Sequence, residues 1–173
     1  KMDQKEVEGL TGIEGSHVKT GTYIMLKGRP SSVVKATFAK PGKHGHVKCN
    51  ITAKDLLKDD KKYQHMCPGH ENIYQPVVKK YDLVLSYPEY EDSAETEVSA
   101  LVCMQDDENE SDEIKLTFKN EPTYIQAVKM YKEIEEKDEE KEVILSIVQC
   151  TVGDKKFTWE HTIAKVSSRA AKN

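Results

Sequence analysis

The sequence predicts a mainly β protein built as two small barrels, the second carrying one helix. Three observations lead there. From residue 17 to about 73 the chain is a series of short β-branched runs broken by turn residues, without a helical period. Only Thr123–Lys137 repeats its apolar residues at three-and-four spacing. Charge also changes sign along the chain: residues 1–80 hold 15 Lys and Arg against 8 Asp and Glu, and residues 81–173 hold 11 against 22. A net of +7 followed by −11 argues for two domains, the first of which meets an anionic partner.

The elements follow in order. Residues 1–16 are polar and acidic and are expected to form a flexible tail. The first barrel, residues 17–79, takes strands from Thr22–Lys27, Ser31–Phe38, His46–Ala53 and Lys61–Cys67, punctuated by Gly28-Arg29-Pro30 and Pro68-Gly69. Gln75–Leu85 reads as a short connection running straight into a new strand, with the boundary near Val78–Lys80. The second domain is placed at residues 80–167 and a C-terminal tail at 168–173. Its strands are Val98–Gln105, Ile114–Phe118, Glu142–Cys150 and Lys155–Val166. The acidic stretches Glu89–Glu97 and Asp106–Glu113 are expected as solvated loops. In the helix, Tyr124, Ala127, Val128, Tyr131 and Ile134 form one buried stripe. Pro122 precedes it, and Thr123 with Gln126 offers a capping box. Five strands with a helix before the fourth fit an OB-type barrel, and an α+β sandwich fits the same pattern.

Several function classes drop out early. No run of about 18 apolar residues is present, so no membrane span is expected. No secretory leader is read either. Cys49, Cys67, Cys103 and Cys150 are widely spaced without a Cys-x-x-Cys pair, the pattern of reduced thiols in a cytoplasmic protein.

The stretch with most chemistry is "KPGKHGHVK", Lys40–Lys48. Apolar runs on both sides make it a hairpin connection. Gly42 and Gly45 supply the backbone freedom of a tight tip, and Pro41 fixes its own φ and extends Lys40. Lys43 stands near the apex, with Lys40, His44, His46 and Lys48 around it. Such a cation cluster suits a phosphate backbone, and an ordinary exposed turn is the other reading. It is not a P-loop, because Thr37 replaces the first glycine and His44 the Ser or Thr. Zinc is a further candidate, through His44, His46 and Cys49 or through His65, Cys67 and His70. Those spacings match no standard finger, so no metal is expected. Cys67 as a nucleophile lacks an orienting third group.

Taken together, "LKGRP" (Leu26–Pro30), "KPGKHGHVK" and "KKYQHMCPGHENIYQP" (Lys61–Pro76) resemble, in order and spacing, the eukaryotic translation factor 5A family, which is related to bacterial elongation factor P. The resemblance is strong over about Gly15–Leu85 and mainly architectural beyond. It implies an SH3-like N-terminal barrel followed by an OB-fold. It implies a non-enzymatic factor that binds the ribosome next to peptidyl-tRNA, promotes peptide-bond formation at stalled sequences such as consecutive prolines, and acts in termination. It implies that Lys43 becomes hypusine, using spermidine, through deoxyhypusine synthase and deoxyhypusine hydroxylase, with no other cofactor. Lys40, Pro41, Gly42, His44, Gly45 and His46 would support that loop. Lys27, Arg29, Lys35, Lys40 and Lys48 would contact phosphate. A homodimer is left open, and no membrane partner is expected. Pro41 departs from the family's usual small residue, and the second domain carries extra acidic length. An unmodified RNA-binding module and a zinc protein remain the alternatives.

Overall fold

The computed structural model describes residues 10–40, 42, 45–106 and 112–172. Within them the chain forms β1 (Gly12–Glu14), a 3-10 turn (Gly15–His17), β2 (Tyr23–Leu26), β3 (Arg29–Ala39), β4 (Lys48–Asp55), β5 (Lys62–Pro68) and β6 (Asn72–Tyr74). There follow β7 (Val78–Tyr90), β8 (Val98–Gln105), β9 (Ile114–Thr117), α1 (Pro122–Glu136), β10 (Lys141–Val152) and β11 (Thr158–Ala170). The strands make a four-stranded sheet β2-β3-β4-β5, a ribbon β1-β6 and a five-stranded sheet β11-β10-β7-β8-β9. This is the expected mainly β architecture, an SH3-like sheet followed by an OB-type sheet with one helix.

The chain divides into two compact units. One holds the residues up to Lys79 together with Val148–Thr162, the other Lys80–Ile147 together with the residues from Ile163 on. The first curls around Val18, Ile24, Leu26, Val33, Ile51 and Ile73, joined by Cys49 and Cys67. The period of two in β4 is what builds this core: Cys49, Ile51, Ala53 and Asp55 turn inward while the residues between them are less buried. Lys27 and Gly28 join β2 to β3 with φ of 53° and 75°, the pair of positive values that a two-residue type I′ turn demands. A bulge between Val33 and Lys35 then bends β3.

The second unit packs Leu83, Leu85, Leu101, Leu145, Ile147 and Ile163 beneath α1 residues Tyr124, Ala127 and Val128, with Tyr131 and Ile134 partly buried alongside. The helical stripe is therefore the one read from spacing. Its start differs. Glu121 is the N-cap and makes no side-chain cap bond, and Pro122 occupies the first turn. Proline supplies no N–H that would need a cap, so the Thr123–Gln126 box is replaced by a proline start.

Two short segments depart from the expectation. In the stretch read as a tail, Gly12–Glu14 pairs with Asn72–Tyr74 in register Ile13 to Ile73. Three residues are too few to display a period, so nothing in the sequence marked them. At the other end β11 runs to Ala170, past the expected end of the second domain.

Candidate functional site

The Lys40–Lys48 segment closes the β3–β4 hairpin. β3 and β4 stay paired up to Ala39 opposite Lys48, so the segment leaves the sheet from a fixed base. Pro41, Lys43 and His44 lie outside the described residues. Gly42 has φ of 68°, a left-handed value favouring glycine, and its carbonyl accepts a hydrogen bond from the Gly45 N–H at 3.4 Å. Lys40, His46 and Lys48 are exposed and Gly45 is half-buried. The returning end is held by a second hairpin: the Gly69 N–H donates to the Val47 carbonyl at 2.8 Å, and the Gly69 carbonyl accepts from the Ser16 N–H at 3.0 Å. The segment is thus fixed at both ends by elements that share one core.

Of the basic residues expected around it, Lys27, Lys35, Lys40 and Lys48 are exposed. Arg29 is placed differently. Its Nε donates to Asp55 Oδ2 at 2.9 Å and its Nη1 to Glu160 Oε2 at 3.0 Å. With its side chain only 17% accessible, the fork faces two carboxylates and has no free edge for a phosphate. Asp55 in turn has a fully buried side chain and accepts from the Tyr63 hydroxyl at 2.8 Å and from the Leu57 and Lys58 N–H groups at 2.8 and 3.1 Å. Burial alone would raise its pKa. The Arg29 guanidinium, the Leu57 N–H and the Tyr63 hydroxyl outweigh that and hold it below the usual carboxylate value.

Asp55 and Glu160 escaped sequence reading for different reasons. Asp55 before Leu56-Leu57 is a local signal, since an aspartate at a strand end commonly accepts the N–H two residues on. Glu160 lies 131 positions from Arg29, and no pattern in one sequence links them.

The histidine–cysteine clusters are rearranged as well. On β5, His65 and Cys67 share the inward face, and Glu71 rather than His70 returns to them across the Pro68–Glu71 turn. His65 Nε2 lies 2.5 Å from Glu71 Oε2. His70 is exposed. Cys49 stands directly opposite Cys67. Burial, followed by the nearby Glu71 carboxylate and the Cys49 sulfur, pushes the Cys67 thiol up to about 12. All four cysteines are buried and none is in a disulfide. Neither cysteine here has the lowered pKa of a nucleophile. Among the described residues no helix is long and apolar enough to cross a membrane.

Residues 10–71 match the family described as translation initiation factor 5A-like, N-terminal. Eukaryotic translation initiation factor 5A of Spodoptera exigua is 38% identical over 71 residues, 41% of this chain and 44% of that protein. The Drosophila melanogaster factor is 39% identical over 70 residues, 40% of this chain and 43% of its own length. Each alignment therefore spans less than half of the relative. In structure, a translation initiation factor 5A family protein from Naegleria fowleri superposes with a TM-score of 0.60 at 20% identity, covering 91% of this chain and 99% of its own. The factor from Methanococcus jannaschii gives 0.57 at 17% identity, covering 93% and 97%. At such identities the likeness extends the shared fold through the second domain, while the sequence match rests on the first. Residues 10–71 are thus similar to the N-terminal domain of translation initiation factor 5A, and the two-domain β fold is the one its structural neighbours share.

Proposed function

We propose that this protein is a translation factor that carries hypusine on Lys43, binds the ribosome beside peptidyl-tRNA and promotes peptide-bond formation where synthesis stalls, as at consecutive prolines, with a further part in termination. The observation that carries this reading is the Lys40–Lys48 segment: it closes the β3–β4 hairpin inside the matched region, tied by Ala39 opposite Lys48 and by the Gly69–Val47 bond. A base held on two sides aims whatever the tip presents.

The chemistry follows from the added group. Deoxyhypusine synthase would transfer the aminobutyl group of spermidine to Lys43 Nζ, and deoxyhypusine hydroxylase would add one hydroxyl. The arm grows by roughly 6 Å at about 1.5 Å per bond. The tip then holds two cationic amines and a hydroxyl, able to contact phosphate and sugar near the acceptor end of the tRNA. Each cation gains about 1 kcal/mol beside a phosphate in water, and more in a less hydrated crevice. That suffices to bias a strained tRNA toward a reactive orientation, which lowers the barrier without any bond chemistry by the factor. Lys27, Lys35, Lys40 and Lys48 would add phosphate contacts, in a cytoplasmic setting.

Mass analysis of the protein from its native cell should find the hydroxylated aminobutyl group on Lys43. Lys43→Arg should fold normally yet fail to relieve stalling in a polyproline translation assay. If active native material carries plain lysine, or if the arginine variant is fully active, the proposal falls and an unmodified RNA-binding module takes its place.

A further inference from the structure

We propose that His65, Cys67 and Glu71 form a binding site for a thiophilic divalent cation of the zinc type, at the β5–β6 turn. Donor atoms of these three residues lie within 4.8 Å of one another. Their chain spacing explains how. His65 and Cys67 are two apart on one strand, so their side chains leave the same face. The Glu71 N–H bonds the Pro68 carbonyl at 3.0 Å, and this tight turn brings the glutamate back onto that face. The three donors thus come from one seven-residue hairpin and need no long-range assembly.

The donor set selects the metal. A thiolate, an imidazole and a carboxylate suit Zn²⁺, whereas Mg²⁺ and Ca²⁺ favour all-oxygen sites. Tetrahedral zinc with bonds of about 2.0 Å to N and O and 2.3 Å to S sets its ligands roughly 3.3–3.7 Å apart. The His65–Glu71 contact at 2.5 Å opens to admit the ion, and the wider donor spacings close slightly. Both side chains have the freedom to do so, being 34% and 40% accessible. They also set the entry route. On the opposite side Gly15 seals the sulfurs, since a Cβ built on it would come 2.9 Å from Cys67 Sγ and 3.4 Å from Cys49 Sγ. One proton leaves Cys67 as the sulfur–metal bond forms, and the proton that His65 Nε2 donates to Glu71 is given up, the neutral imidazole carrying its N–H on Nδ1 once Nε2 binds the ion. The fourth position faces solvent and takes water. Cys49, opposite Cys67, supports the sulfur from behind without being a ligand. Glu71 Oε2 now sits against His65, and the ion replaces that contact with a clasp across the turn that anchors Val47.

Cobalt(II) titration of the full chain under reducing conditions tests this directly, since thiolate-to-cobalt charge transfer absorbs in the near ultraviolet and tetrahedral cobalt in the visible. The expected result is a band saturating at one equivalent and bleached by added Zn²⁺. Cys67→Ser should abolish it, and His65→Gln and Glu71→Gln should each weaken affinity tenfold or more. His70→Gln and Cys49→Ala should retain it. Should Cys67→Ser fail to fold by circular dichroism, the two partly exposed ligand variants carry the test. No near-ultraviolet band at stoichiometric cobalt, a band that survives Cys67→Ser, or affinity unchanged in both His65→Gln and Glu71→Gln overturns the site and leaves a plain histidine–glutamate hydrogen bond. The measurement does not involve Lys43, so its outcome is independent of the proposed translation role.

Discussion

At Asp55 one buried carboxylate holds together four parts of the first unit: the Arg29 turn, the Tyr63 strand, the backbone after β4 and, through Arg29, Glu160. Removing one partner from such a buried pair strands the other charge, which typically costs about 3–5 kcal/mol. Asp55→Asn should therefore lower unfolding stability by about 3 kcal/mol, the lower figure because Arg29 keeps Glu160. Equilibrium denaturation measures it, and a loss below about 1 kcal/mol would show the cluster to be incidental. The pH dependence has a definite sign. Asp55 has a native pKa below its unfolded value of about 3.9, so its stabilisation is complete above that value and is lost as pH falls through the native one. Acid unfolding should consequently be steeper in the parent than in Asp55→Asn below about pH 4.

Among elements, α1 shows how far periodicity carries a reading. Its apolar stripe was legible because five residues at helical spacing outweigh any single position, and the buried Tyr124, Ala127 and Val128 are three of them. Its cap was not legible, since Pro122 and the Thr123–Gln126 pair offer rival starts and only packing chooses between them. The long strands were readable from β-branched runs, whereas β1 and β6, with three residues each, owe their form to each other. In the candidate site, the cations and glycines of Lys40–Lys48 could be read directly. The carboxylates of Asp55, Glu71 and Glu160 could not, because their roles depend on what the fold places beside them. Packing of α1 also yields a prediction. Tyr124 is fully buried against Phe118, and its hydroxyl meets no hydrogen-bond partner among the described residues. A buried polar atom without a partner costs roughly 1–3 kcal/mol, so Tyr124→Phe removes a liability and keeps the ring. Thermal unfolding of this variant should match or exceed the parent by up to about 1 kcal/mol, and a marked loss would mean that the hydroxyl is bonded, for instance to a buried water.

For the molecule as a whole, the division of charge sets the kind of association to expect. Net charge is −4, which alone argues against nucleic acid, yet residues 1–80 carry +7. Screening is what makes the local figure count. At physiological ionic strength the Debye length is about 8 Å, so a phosphate held against the first unit responds to lysines nearby and hardly at all to acidic residues farther off. Lys27, Lys35, Lys40 and Lys48 are all exposed, while Arg29 is held by its carboxylates. Under the proposed role, each lysine that neutralises a phosphate releases counterions on binding, and the logarithm of affinity falls linearly with the logarithm of salt. Ribosome binding by the parent should show this dependence, and Lys35→Ala or Lys48→Ala should each flatten the slope by about 0.7–0.9 if one phosphate is lost. Arg29→Lys should instead leave the slope unchanged while lowering stability, because a single ammonium cannot reproduce the fork that reaches both Asp55 and Glu160. A flattened slope for Arg29→Lys with unchanged stability would reverse the assignment, making Arg29 a phosphate contact and the Asp55 cluster a resting place for its side chain.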